Sequence, residues 1–257
     1  MQARQLPLHR GFAWLKEGLQ LWRRNPALLT FASFGYLLML LLVSVVPFIG
    51  QVLASLLMPV LSLGVLNTCQ AIAKGRKAGP DVLFSGFQQN LPALLMIGAA
   101  YLAGSLLVLL LTALADGGAL LQVMTNGGKL DPEIATSAGF SVALLLAVTL
   151  STPVMMAYWF APLLAGWWNI PAPKALFFSF FACLRNWRPF LAFSIGLALF
   201  GAVLPGVVLG IIGMASPTLA TLLSVPLPLL LIPMIFGSFY ANACDIFGEP
   251  EDESAQA

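Results

Sequence analysis

Charge is what this sequence has least of. Asp, Glu, Lys and Arg make up 9% of its 257 residues, apolar residues make up 60%, and the mean hydropathy is +0.93. Soluble domains carry roughly 25% charged residues. A water-facing shell needs polar atoms that this composition does not supply, so much of the surface must face lipid. Histidine is almost missing: His9, near the N-terminus, stands alone. A Ser–His dyad within a bilayer would need the N-terminal segment folded over it, and His9 reads instead as a headgroup-level polar residue. There is no HExxH pattern, no His/Cys/carboxylate cluster and no P-loop. No metal or other cofactor is expected, and neither is ATP hydrolysis. Cys69, Cys183 and Cys244 are an odd number at spacings that form no disulfide framework and no CxxC pair. They read as small apolar filler.

What is there is a series of long apolar runs: 27–46, 51–73, 91–115, 139–166, 190–214 and 218–243, none containing Asp, Glu, Lys, Arg or His. Each is long enough to cross a bilayer, which takes roughly 20 residues. The expected fold class is therefore an all-α membrane protein with six transmembrane helices in one integral membrane domain, 1–257. The first run follows a charged amphipathic segment and is long enough to span, so it does not read as a cleavable signal. Orientation follows from the basic residues. With the N-terminus inside, Arg4, Arg10, Lys16, Arg23, Arg24, Lys74, Arg76, Lys77, Lys174, Arg185 and Arg188 are cytoplasmic, eleven of the twelve Lys and Arg, and only Lys129 is outside. Both termini are then cytoplasmic. Residues 249–257, with Glu249-Pro-Glu-Asp-Glu253, read as an acidic disordered tail. The extracytoplasmic loop 116–138 carries two Gly-Gly pairs and reads as a connector. The fourth run is expected to begin a helix near Pro132, with Asp131 as N-cap, and to break at Pro153.

A threefold internal repeat is also legible, with units of about 8–75, 80–170 and 173–247. Before each odd-numbered run lies a short amphipathic segment that ends in Asn and Pro: Asn25-Pro26, Asn90-Leu-Pro92 and Asn186-Trp-Arg-Pro189. In the first, Leu8, Phe12, Leu15, Leu19 and Trp22 fall on one helical face, with Arg10, Lys16, Arg23 and Arg24 opposite. That is the pattern of a helix lying in the membrane interface. The third segment is apolar on nearly all sides and is expected to sit deeper or to pack on protein. Proline suits the first turn of the helix that follows each elbow, and Asn is expected to cap that helix's free N–H groups. The fold is thus read as three pseudo-repeated hairpins, each preceded by an amphipathic interfacial helix.

Arg23, Arg24, Arg185 and Arg188 are candidate lipid-headgroup contacts. Gln51, Asn67, Gln70, Asn169 and Asn242 are candidate cavity-lining residues. Membrane lipids, above all anionic ones, are the expected partners, with a protein partner left open; the scattered basic residues give nucleic-acid binding no support. No apolar run carries Asp, Glu, Lys, Arg or His, which disfavours proton-coupled transport. Gly206, Gly210 and Gly213 permit close helix approach, read as packing within the chain. Two functional classes remain: a non-enzymatic protein that binds or organises lipids or partner proteins, and a passive or weakly coupled transporter of a small neutral or amphipathic solute.

The Trp-containing amphipathic helix, the Arg23-Arg24-Asn25-Pro26 elbow, the Pro59–Gly75 stretch and Phe84-Ser-Gly-Phe87 resemble a group of six-span proteobacterial inner-membrane families known only as hypothetical transmembrane proteins. The resemblance implies a bacterial inner-membrane location, and no substrate or reaction.

Overall fold

The computed structural model describes residues 3–47, 49–120 and 138–249. Among them every regular element is helical, and six are long and apolar enough to cross a membrane: Pro26–Ser44, Gly50–Ala73, Leu91–Asp116, Gly139–Trp167, Trp187–Ala215 and Pro217–Phe247. These agree closely with the expected runs because uninterrupted apolar composition is what a span requires. The expected N-cap at Asp131 and helix start near Pro132 lie outside the described residues, as do most of the 116–138 loop and all of the tail beyond Glu249.

The elements run α1 (Arg10–Arg24), α2 (Pro26–Ser44), α3 (Gly50–Ala73), a 3-10 helix (Pro80–Gln88), α4 (Leu91–Asp116), α5 (Ala138–Trp159), α6 (Ala161–Trp167), α7 (Ala172–Arg185), α8 (Trp187–Ala198), α9 (Leu204–Ala215), α10 (Pro217–Ser224) and α11 (Leu227–Phe247). Prolines explain most of the interruptions. A π-helical turn, Leu199–Val203, precedes Pro205, whose missing N–H and ring displace the regular ladder. Pro226 separates α10 from α11. The fourth span does not break at Pro153, which lies inside α5, but at Phe160. Pro162 follows two residues later, and Ser179 Oγ fills the gap, accepting from Phe160 N–H at 2.8 Å and donating to the Met156 carbonyl at 2.7 Å.

The short elements before the odd spans all pack on protein. α1 lies against α11 and α8, the 3-10 helix against α3, and α7 against α5. Glycines set the closest approaches of α1 and the 3-10 helix. A Cβ at Gly86 would overlap the Val60 carbonyl, one at Gly64 the Leu83 carbonyl, and one at Gly18 would strike Ser238. The face of α1 that is buried is Gly11, Trp14, Leu15, Gly18 and Leu21, one stripe round from the expected apolar face; Leu8 and Phe12 stay exposed. The second element is a 3-10 helix rather than an α-helix.

Only the first elbow asparagine caps its helix. Asn25 Oδ1 accepts from Leu28 N–H at 3.1 Å. Asn90 adopts a left-handed backbone (φ +41) and its amide donates to the Ala165 carbonyl at 3.1 Å. Asn186, fully buried, ties down the N-terminal segment: Oδ1 accepts from Leu6 N–H at 2.9 Å and Nδ2 donates to the Arg4 carbonyl at 2.9 Å. Buried amides take whichever partners bring full satisfaction, and here these lie far away in sequence. Gly206 and Gly210 meet no neighbouring helix, so the close packing expected around them is not made among the described residues. α9 and α10 bury no residue.

Candidate functional site

The expected headgroup arginines Arg23, Arg24, Arg185 and Arg188 are all exposed, on α1, α7 and α8. Arg24 Nη1 donates to the Ala73 carbonyl at 3.2 Å, and the Arg188 guanidinium lies 5.4 Å from the Trp187 ring centroid. Exposed aromatics share these elements: Phe12 on α1, Phe84 and Phe87 on the 3-10 helix, Phe177 and Phe181 on α7. Each short element therefore turns phenylalanine outward, with basic residues on or beside it.

Arg23 also borders the largest groove described here, about 790 Å³. Its walls are apolar, from Leu19, Trp22 and Ala27 on one side and Pro226, Leu227 and Leu230 on the other. A guanidinium at the edge of an apolar trough is the arrangement that an acidic headgroup and its acyl chain require.

The five expected cavity-lining residues are not brought together. Gln51 and Asn169 are exposed, and Gln70 is half-buried. Asn67 is a structural latch: Nδ2 donates to Ser85 Oγ at 2.7 Å and Gln89 Oε1 at 3.2 Å, while Oδ1 accepts from Trp167 Nε1 at 2.7 Å. Asn242 is fully buried and its side chain makes no hydrogen bond among the described residues. None of the five lines the cavities described here.

Three features escaped the sequence. The first is an ionic latch. Arg10 Nε donates to Asp245 Oδ2 at 2.6 Å, Arg10 Nη2 to Glu17 Oε1 at 2.9 Å, and Trp14 Nε1 to Asp245 Oδ2 at 2.8 Å. Burial works against the charge on Arg10, but the hydrogen bond and Coulomb attraction of Asp245, with Glu17 adding to them, prevail and raise its pKa. The one sequence signal was Asp245, a carboxylate directly after the sixth run. The second is a mixed-charge cleft of about 460 Å³ beside this latch, bordered by Arg4, Glu17, Arg24 and Glu249. The third is a cavity of about 190 Å³ between the helices, lined by Tyr36 of α2, Met58 and Ser62 of α3, Tyr101 of α4, Tyr158 and Trp159 of α5, and Phe236 and Phe239 of α11. Its aromatic residues come from four helices, so no stretch of chain announces it.

No family model and no solved structure matches the chain. It is similar to a probable inner membrane protein of Burkholderia thailandensis, 36% identical over 261 residues that cover 98% of this chain and 96% of that protein. The chain belongs to that protein's family. With the six apolar helices, this makes it a multi-pass protein of the bacterial inner membrane.

Proposed function

We propose that the protein is a non-enzymatic lipid-binding and lipid-organising component of the inner membrane, whose basic rim faces the cytoplasm and engages anionic headgroups. The observation that carries this reading is the apolar groove of about 790 Å³ with Arg23 at its border. Eleven of twelve basic residues fall on segments assigned to one side, which supports a cytoplasmic rim and cytoplasmic termini. The short elements before the odd spans, each ending at an Asn elbow, support three pseudo-repeated units with α1, the 3-10 helix and α7 as their interfacial helices. A protein partner on the same rim is the alternative occupant.

The test is lipid retention. Protein extracted in mild detergent is expected to carry anionic phospholipid by native mass spectrometry. Replacing Arg23, Arg24, Arg185 and Arg188 together with Gln is expected to remove most of it, since each basic residue near an anionic surface contributes about 1 kcal/mol. Unchanged retention in the quadruple variant would refute the rim reading.

The aromatic cavity between the helices favours a second reading, a passive or weakly coupled carrier of a small neutral or amphipathic solute. Proteoliposomes that show no solute flux above protein-free vesicles would count against it.

A further inference from the structure

The mixed-charge cleft beside the ionic latch holds about 460 Å³, within the range of small-molecule sites. Two antiparallel helices wall it, since Trp14 of α1 meets Asp245 of α11 while Gly18 faces Ser238. On α1 the lining residues are Glu17, Gln20, Leu21 and Arg24, which share one helical face. Glu17 and Arg24 are two turns apart along that helix, about 10 Å. Glu17, Asp245 and Glu249 form an acidic end. Arg24 marks the opposite end, where it donates to the Ala73 carbonyl. Arg4 enters from the N-terminal segment, whose main chain bonds to the Ile246 carbonyl.

The charges here balance in number but not in place. Three carboxylates, Glu17, Asp245 and Glu249, stand with three guanidiniums, Arg4, Arg10 and Arg24. Of the three arginines, only Arg10 makes an ion pair among the described residues, and it serves both Glu17 and Asp245. One positive group is thus shared by two negative ones. Asp245 Oδ1 and Glu17 Oε2 accept no hydrogen bond among the described residues. Glu249 and Arg24 are exposed. A simple anion would gain Arg24 but meet the carboxylates, and a simple cation would meet the reverse; like charges brought together are penalised. An apolar ligand would desolvate charges and return nothing. A ligand that bears both signs matches both ends. A primary ammonium brings three donors to the open carboxylate oxygens. A guanidinium takes a phosphate or carboxylate through two parallel bonds. A quaternary ammonium has no donor and would leave those oxygens unmet.

We infer that this cleft is a binding site for a small zwitterion that joins a primary ammonium to an anionic group, with the ammonium at Glu17, Asp245 and Glu249 and the anion at Arg24. Glycerophosphoethanolamine has this chemistry, whether free in solution or as the headgroup of phosphatidylethanolamine. The site shares no lining residue with the Arg23 groove. It relies on three carboxylates that the anionic-lipid reading does not use, so the two stand or fall separately.

The experiment uses the full chain in two arms. In detergent, saturable binding of glycerophosphoethanolamine is expected by calorimetry. Glycerophosphocholine, ethanolamine and glycerol phosphate each lack part of the match, and each is expected to bind at least about tenfold more weakly, as the loss of one charged hydrogen bond would give. These comparisons on the unaltered protein do not depend on any variant folding. Glu249→Gln and Arg24→Gln, both outside the latch, are expected to weaken binding to a similar degree, and Glu249→Gln is expected to leave anionic-lipid retention unchanged. In the second arm, nanodiscs hold equal amounts of phosphatidylethanolamine and phosphatidylcholine, and lipid retained by the protein is read by native mass spectrometry. Enrichment of phosphatidylethanolamine assigns the ligand to the membrane, and binding of the free compound without enrichment assigns it to solution. Neither binding nor enrichment, glycerophosphocholine binding as tightly as glycerophosphoethanolamine, or full affinity in folded Glu249→Gln and Arg24→Gln proteins would overturn the assignment.

Discussion

Ser179 does for the fourth span what a backbone N–H does in an unbroken helix. Between Met156 and Phe160 the direct i to i+4 bond is replaced by a hydroxyl from α7 that serves both groups. In lipid no water is on hand to take its place. Ser179→Ala therefore leaves a buried N–H and a buried carbonyl without their partner, and is expected to cost about 1–3 kcal/mol. Thermal unfolding in detergent should show a clear drop for Ser179→Ala. A variant as stable as the parent would mean that the break closes up without the hydroxyl. Nothing in the local sequence advertises this role, because the serine lies on a different helix from the groups it satisfies. The elbow asparagines teach the same point from the other side. Asn25 follows the local capping rule, whereas Asn90 and Asn186 bond to Ala165 and to Arg4 and Leu6. Asn186→Ala is expected to free the N-terminal segment, seen as faster amide hydrogen exchange at Leu6 while the spans keep their protection.

Among elements, the contact of the 3-10 helix with α3 is set by two glycines that face each other's partner carbonyls, Gly64 against Leu83 and Gly86 against Val60. In both cases the obstacle is backbone, which cannot rotate away as a side chain can. Gly86→Ala is expected to destabilise by about 1–3 kcal/mol, the usual range for overpacking, again read by unfolding in detergent. The spans themselves were legible from hydropathy alone, since a bilayer admits few ways to bury a backbone. The packing of the short elements was not. The periodicity of α1 indicated an apolar stripe through Phe12 and Leu19, but the buried stripe follows Gly11, Trp14 and Gly18. Glycine adds little to a hydrophobic pattern, yet it is what allows α1 to approach α11. The exposure of Arg23, Arg24, Arg185 and Arg188 could be read because a lone charge on a helix needs no partner to be placed at the surface. The aromatic cavity could not, because Tyr36, Tyr101, Tyr158 and Phe236 meet only after the helices have packed.

At the scale of the whole molecule, the short elements lock the bundle in a cycle. The 3-10 helix rests on α3, α7 rests on α5, and α1 returns to α11, the last helix of the chain. The Arg10–Asp245 pair fastens that last closure, with both side chains about a quarter exposed. A double-mutant cycle with Arg10→Ala and Asp245→Ala is expected to return a favourable coupling of about 0.5–3 kcal/mol. Strict additivity of the two substitutions would show that the packing of α1 on α11, and not the ion pair, holds the two ends together.

The closure also sets a timetable. Arg10 and Asp245 are 235 residues apart, and at roughly 5–20 residues per second a ribosome takes on the order of 10–50 s to make the second after the first. Throughout that interval α1 has emerged without the helix it will finally pack against. The glycine face that the last helix covers, Gly18 above all, is therefore the last part of α1 to be closed over.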